Sequence, residues 1–214
     1  MDYDPAAARR HLARKDKRLG AIIKVSEAMD FAPRPIRTTF SALLRPIVFQ
    51  QLSGKAASTI YGRLQALFPK GKPPGAKHFL TLTHEELRGV GLSRAKIAAA
   101  TDLAERVSAR KLPSIAKLRE LPDAEVIEIL TEVKGIGRWT VEMLLIFGFC
   151  RPDVMPSTDL GVRKGFARIY HPELEAGDLP PPEAIEAHAE LWKPYRSVAT
   201  WYMWRAVDLS DLPD

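Results

Sequence analysis

The sequence predicts an all-α fold, and three observations carry that expectation. Apolar residues recur at helical spacing through most of the chain. Ser53, Thr83 and Ser93, all good N-terminal caps, stand directly before such stripes. No segment alternates apolar and polar residues between hairpin turns, as paired strands would. No repeat of solenoid period is present either.

The chain opens with a basic run. Residues 9–24 hold Arg9, Arg10, Arg14, Lys15, Lys17, Arg18 and Lys24 against one acid, Asp16. Such a run is either a solvated helix face or a contact with phosphates. Ala32-Pro33-Arg34-Pro35 then breaks the chain and marks a first boundary. From Thr39, the residues Phe40, Leu43, Leu44, Ile47 and Val48 form the stripe of a helix with one buried face. Pro46 inside it requires a kink or a late start. Ser53 caps a helix with Ala57, Ile60, Leu64 and Leu67 on its inner face, ended by Pro69, and residues 69–76 form a loop. Thr83 with Glu86 is a capping box for a short helix. Ser93 caps another that runs to about Ser108. Short helices are expected near 114–120 and 123–130. After a glycine turn, Val141, Leu144, Leu145 and Phe149 mark an apolar helix. A loop at 151–158 and helices near 160–170, 183–192 and 195–208 complete the chain.

Composition bounds the function. The 214 residues are 46% hydrophobic and 27% charged, enough for a buried core and unlike a disordered chain. A net charge of +6 favours a polyanionic partner. Cys150 is the only cysteine, which excludes an internal disulfide, a zinc ribbon and a four-cysteine iron–sulfur cluster. The five histidines lack metal-ligand spacing, and there is no G-x-x-x-x-G-K-[ST] loop. No apolar run approaches the ~20 residues of a membrane span. The N-terminus lacks the apolar core of a secretory signal. A cytoplasmic monomer is expected, on the nucleoid if the source is bacterial, with no membrane partner.

Gly135-Ile136-Gly137 joins two helices. A glycine allows positive φ and close backbone approach, and Ile136 can anchor the turn in the core. The helix start after the turn offers free N–H groups to a phosphate, and Lys134 adds positive charge at the rim. Gly89-Val90-Gly91 repeats the pattern between two other helices, so the pattern alone decides nothing. The downstream residues distinguish the two turns. The first turn is expected to lead into a polar-faced helix. The second leads into an apolar helix, a Pro-containing loop and Asp159. Asp159 can cap the 160–170 helix, and such a cap holds a carboxylate ionised and oriented.

This combination resembles the helix-hairpin-helix superfamily of DNA glycosylases. The resemblance rests on L-x-x-V-x-G-I-G at 130–137, on Asp159, and on Trp192-Lys193-Pro194-Tyr195-Arg196-Ser197 leading to Trp204. It extends over about residues 37–208, and it is similar to the alkylation-repair branch, of the DNA-3-methyladenine glycosylase II type. It implies two helical lobes with a DNA cleft between them. Residues 37–150 would form a middle lobe containing the helix-hairpin-helix at about 123–149. Residues 1–36 and 151–214 would form the second lobe, with the 36 leading residues too few for the mixed α/β domain of the bacterial inducible enzyme. The implied activity is base excision repair. Alkylated bases (3-methyladenine, 7-methylguanine and others) are flipped out of double-stranded DNA and their N-glycosidic bond is hydrolysed.

The resemblance also assigns residues. Asp159 is the expected catalytic carboxylate, stabilising an oxocarbenium-like sugar. Trp139, Trp204, Met143 and Leu160 are expected to line the base pocket, the two tryptophans attracting a cationic base by cation–π forces. Met143 and Leu160 stand where the bacterial inducible enzyme has tyrosines. Trp139 occupies the position, two residues past Gly137, where strand-cutting members carry a lysine, so no lyase activity is expected. Lys134, Gly135, Ile136, Gly137 and Arg138 are expected to contact DNA. Leu52 is expected to fill the gap left by the flipped nucleotide. Trp139, Trp204 and Leu52 each have a plain core residue as the alternative. No cofactor is required, and a monovalent cation, Na+ or K+, is implied at the main-chain carbonyls of Thr131, Val133 and Ile136. The competing function is a non-catalytic helix-hairpin-helix DNA-binding module, which needs neither Asp159 nor the tryptophans.

Overall fold

The computed structural model describes residues 3–27, 36–70, 72–175 and 177–213. Among them every regular element is helical. In chain order these are α1 (Pro5–Lys15), α2 (Lys17–Val25), α3 (Thr39–Phe49), α4 (Gly54–Ala66), α5 (Ala76–Phe79), α6 (His84–Gly89) and α7 (Arg94–Ser108). Then come α8 (Ile115–Glu120), α9 (Asp123–Thr131), α10 (Arg138–Met143), α11 (Leu160–Tyr170), α12 (Pro182–Ala189) and α13 (Arg196–Asp208).

The caps act as the residue types require. Ser53, Thr83 and Ser93 accept from Ala56, Glu86 and Lys96 amides, and the Glu86 side chain closes the box onto the Thr83 amide at 2.7 Å. Thr38 and Ser41 form a second capping box that starts α3 at Thr39. The helix therefore has no late start and carries Pro46 within it. The basic run folds as two helices broken at Asp16, which ends α1 and caps α2 through the Leu19 amide at 3.0 Å. The boundary at Ala32–Pro35 lies outside the described residues.

Four expectations are corrected. The segment 69–76 does not stay a loop to its end, because Ala76 opens α5 and is buried there. The apolar stretch from Val141 is not one α-helix. It is α10 followed by a π-helical turn, Leu144–Gly148, which keeps Leu144, Leu145 and Ile146 buried while shifting the register of the residues beyond it. The helix after Gly89-Val90-Gly91 is not polar-faced. α7 buries Ile97, Ala99, Ala100, Leu103 and Ala104, because its alanines make an apolar face that the charged residues around them obscure. The expected helix at 183–192 ends as a 3₁₀ turn, Glu190–Trp192.

The chain divides into two compact units, Arg34–Leu144 and Met1–Pro33 with Leu145–Asp214. In the first, α3 packs on α4 and α7, with Phe40 against Phe79 at 5.5 Å between ring centroids. α9 and α10 pack against each other as the arms of the second glycine turn. In the second unit α11 lies along α13. The crossing is close because Gly165 has no side chain, and a Cβ there would collide with the Met203 carbonyl.

That second unit is also tied by a buried carboxylate. Asp16 Oδ2 accepts from Tyr170 Oη at 2.6 Å, Trp192 Nε1 at 2.9 Å and His188 Nε2 at 3.0 Å. Burial by itself would raise the Asp16 pKa. The bonds from His188, Tyr170, the Leu19 amide and Trp192 outweigh it and hold the carboxyl well below the usual carboxylate range. Burial, and then the bond to Asp16, push the Tyr170 hydroxyl far above its ordinary value.

Candidate active site

The loop before Asp159 is fixed by the start of α13. Arg196 forks onto Asp153, with Nε to Oδ1 at 2.8 Å and Nη2 to Oδ2 at 3.0 Å. The Ser197 amide donates to the Pro152 carbonyl, and the Val154 amide donates to Ser197 Oγ at 2.9 Å. Ser157 Oγ donates to Glu186 Oε1 at 2.6 Å. The Arg196-Ser197 end of the W-K-P-Y-R-S segment thus fixes the path of the chain into Asp159.

Asp159 is the N-cap of α11. Its Oδ1 accepts from the Val162 amide and from Trp204 Nε1, both at 2.8 Å. The helix start and the indole hold one rotamer between them. Trp204 is in turn stacked on Phe147, with centroids 5.6 Å apart and planes 15° from parallel. Gly161 makes this possible, because a Cβ there would lie 2.7 Å from Trp204 Cδ1 and 3.1 Å from Asp159 Oδ1. Leu160, beside the carboxylate, is 56% exposed. The result is a half-buried, oriented anion next to an aromatic plane and an exposed apolar side chain.

In the unit that holds the second glycine turn, Gly135 has φ +74 and a Cβ there would approach Ala99 Cβ at 3.0 Å. Ile136 is buried and Lys134 exposed, and the Lys134 amide donates to Asp102 Oδ2 at 2.9 Å. Gly137 caps α10 with no side chain on the cap. Arg138 is paired, its Nε on Glu142 Oε1 at 2.8 Å, and Glu142 itself is buried. Trp139 is 44% exposed, which rules out the core alternative for it. Met143, at the end of α10, is half-buried. Of the candidate cation ligands, Thr131 ends α9 and the Val133 carbonyl accepts from the Ile136 amide at 3.0 Å.

Leu52 is 40% exposed, so it too is not core. The turn that carries it is held on its N-terminal side. Lys96 Nζ donates to the Val48 carbonyl at 2.7 Å, and Gln50 Nε2 donates to the Gly135 carbonyl at 2.9 Å. Gln51, next to Gln50, has φ +54. The Leu52 turn and the glycine turn are therefore joined directly through Gln50. The structure brings Asp159, Trp204 and Leu160 together in one unit, and brings Leu52 to the hairpin residues in the other.

Sequence reasoning missed Gln50, Phe147 and Gly161. Gln50 and Phe147 act over long sequence separations and leave no local signal. Gly161 with Gly165 does leave one: small residues four apart make a strip on one helix face that a neighbouring helix can approach. Gly91, with φ +105, also shows that both glycine turns use one left-handed glycine each, so backbone conformation does not distinguish them.

Comparison with known proteins identifies the family. Residues 44–194 match the family model described as HhH-GPD superfamily base excision DNA repair protein. The DNA-3-methyladenine glycosylase 1 of Schizosaccharomyces pombe is 36% identical over 172 residues, covering 80% of this chain and 74% of that one. The structure of a 3-methyladenine DNA glycosylase of that yeast in complex with abasic DNA aligns at TM-score 0.80 and 32% identity, over 97% of this chain and all of the other. A DNA-3-methyladenine glycosidase from Bacillus halodurans aligns equally well, at TM-score 0.80 and 32% identity over 96% and 89% of the two chains.

Proposed function

This chain belongs to the HhH-GPD superfamily of base excision DNA repair proteins, and from that premise we propose that it is a monofunctional DNA glycosylase for alkylated bases in double-stranded DNA. The observation that carries the reading is Asp159, a helix-capping carboxylate clamped by the Trp204 indole beside an exposed apolar side chain. A simple DNA-binding module has no use for such an oriented anion.

The chemistry is set by these residues. The target base must leave the stack before its glycosidic bond can be reached. As the bond breaks, positive charge grows on the sugar, and Asp159 stabilises it electrostatically without reorganising. A base such as 3-methyladenine or 7-methylguanine already carries positive charge, so it departs without a strong general acid. The same charge is attracted to the faces of Trp139 and Trp204, worth about 0.5–2 kcal/mol per well-placed ring. Leu160 and Met143 add apolar lining. Leu52 fills the vacated position in the duplex. Lys134 and the main chain of Gly135, Ile136 and Gly137 hold phosphates, a sequence-independent grip. Arg138 is spoken for by Glu142 in this structure and contributes through its place at the helix start. With Trp139 two residues past Gly137, no amine is available there for a Schiff base, which supports hydrolysis without strand cleavage.

The carbonyls of Thr131, Val133 and Ile136 suit a monovalent cation, since they lie at and beyond a helix C-terminus, the negative end of its dipole. A bound Na+ or K+ would add positive charge for a phosphate. Among the described residues no helix is long and apolar enough to cross a membrane. The enzyme acts as a monomer in the compartment that holds the chromosome.

The test is base release from duplex DNA treated with a methylating agent, with products separated chromatographically, for wild type and Asp159→Asn. Wild type should release methylated bases and leave the strand intact until alkali is added, and the variant should bind duplex yet release almost nothing. Tight binding without release by either protein would return the chain to a binding module. Strand scission without alkali would overturn the monofunctional assignment.

A further inference from the structure

The α1–α2 corner contains none of the candidate site residues. Arg14 and Lys15 end α1, Lys17 opens α2, and all three are exposed. The only acid in that run, Asp16, is turned inward and consumed by Tyr170, His188 and Trp192. Among the described residues no carboxylate pairs with Arg14, Lys15 or Lys17. The neighbouring Arg18 is different: it donates to the Tyr170 carbonyl at 3.2 Å and faces Glu173.

A second observation is independent of this count of charges. α2 has no acidic residue in its first turn and begins instead with Lys17 and Arg18. A helix N-terminus is the positive end of the dipole and favours acids, so cations there raise the local potential and work against stability. The Asp16 cap already meets the α2 dipole, so Lys17 adds positive potential that the helix itself does not use. The anion it would meet is the one this family of proteins handles, the phosphate backbone of DNA.

We infer that the α1–α2 corner is a second phosphate-contacting surface, which grips duplex DNA outside the footprint of the lesion. This rests on the duplex-DNA reading of the function. Its location gives the reach. Arg18 touches the last residue of α11, whereas Asp159 caps the first turn of that helix. Eleven residues at about 1.5 Å each make α11 about 16 Å long; laid along a duplex, that length spans about five base pairs at 3.4 Å each. A duplex ending within that distance of the lesion loses the contact, and a longer one keeps it.

The test is the triple variant Arg14→Gln, Lys15→Gln, Lys17→Gln, which spares Arg18 and its bond. Binding is measured against salt concentration on two lesion-centred duplexes, one of about 30 base pairs and one ending about four base pairs to either side. On the long duplex the variant's log–log salt slope should fall by up to about 2.7, the product of about 0.9 per phosphate and three cations. On the short duplex it should match wild type. The variant's melting temperature should move little, since the favourable charges lost at the end of α1 and the unfavourable one lost at the start of α2 act in opposite senses. An unchanged slope on the long duplex overturns the inference and makes the corner a solvated face. An equal fall on both lengths also overturns it, placing the cations within the lesion footprint. A wild type that fails to bind duplex at all overturns the proposed function, whereas a wild type that binds with the same slope as the variant overturns this surface alone.

Discussion

Asp16 and Asp159 are two aspartates in one compact unit with the same local chemistry. Each caps a helix, α2 and α11, and each accepts an indole N–H, from Trp192 at 2.9 Å and Trp204 at 2.8 Å. Their surroundings then diverge. Asp16 adds Tyr170 and His188 to the same oxygen and is sealed at 7% exposure. Asp159 stays half-buried beside the exposed Leu160. Capping and an indole bond thus make an aspartate rigid. Whether that rigidity serves the fold or a reaction depends on what else reaches the carboxylate.

The largest expected effect separates the two directly. Asp159→Asn should lower single-turnover base release by about 10³-fold, roughly 4 kcal/mol of transition-state stabilisation. Thermal melting should hardly move, because Asn caps helices about as well as Asp. Asp16→Ala should do the reverse. It strands the donors of Tyr170, His188 and Trp192, and denaturant titration should show a loss of about 3 kcal/mol. Its release rate per folded molecule should stay near wild type. If Asp159→Asn proves as destabilising as Asp16→Ala, the contrast fails.

Acid sharpens the comparison. A carboxylate whose folded pKa is depressed contributes stability that is complete above its unfolded pKa of about 4 and is lost as pH falls toward the folded value. Wild type should therefore lose stability steeply below about pH 4, in denaturation curves taken at pH 7, 4 and 3. Asp16→Asn, already weaker at neutral pH, should give a flatter profile over that interval. The smallest expected effect is at Trp204→Phe, which keeps an aromatic ring against Phe147 but removes the donor to Asp159. Release should slow about tenfold, the equivalent of one charge-assisted hydrogen bond, and binding to undamaged duplex should be unaffected.

How much is legible in the sequence depends on the range of the forces involved. Caps and helical stripes are local, so Ser53, Thr83 and Ser93 mark their helices directly. Asp159 is legible as a cap for the same reason. Its clamp is not, since the Trp204 bond spans 45 residues and depends on how α13 lies on α11. The π turn is hidden because Leu144–Gly148 satisfies apolar periodicity in either winding. The charge run reads as a single feature, although the fold turns its one acid inward and leaves most of its cations outside. The buried face of α7 is hard to see because alanines weigh little in a hydrophobic stripe yet bury well.

Gly161 and Gly165 have a consequence for inheritance as well as for packing. Elsewhere in a helix, replacing glycine by alanine is the mildest of changes and often a helpful one. Here a methyl group at Gly165 would run into the Met203 carbonyl, and one at Gly161 would press on Trp204. In a saturation library selected for survival of alkylating damage, these two positions should be purged almost as thoroughly as Asp159. Neither offers a functional group to any substrate. The spacing between carboxylate and indole is thus recorded in the genome as two methyl groups that a lineage cannot afford to gain.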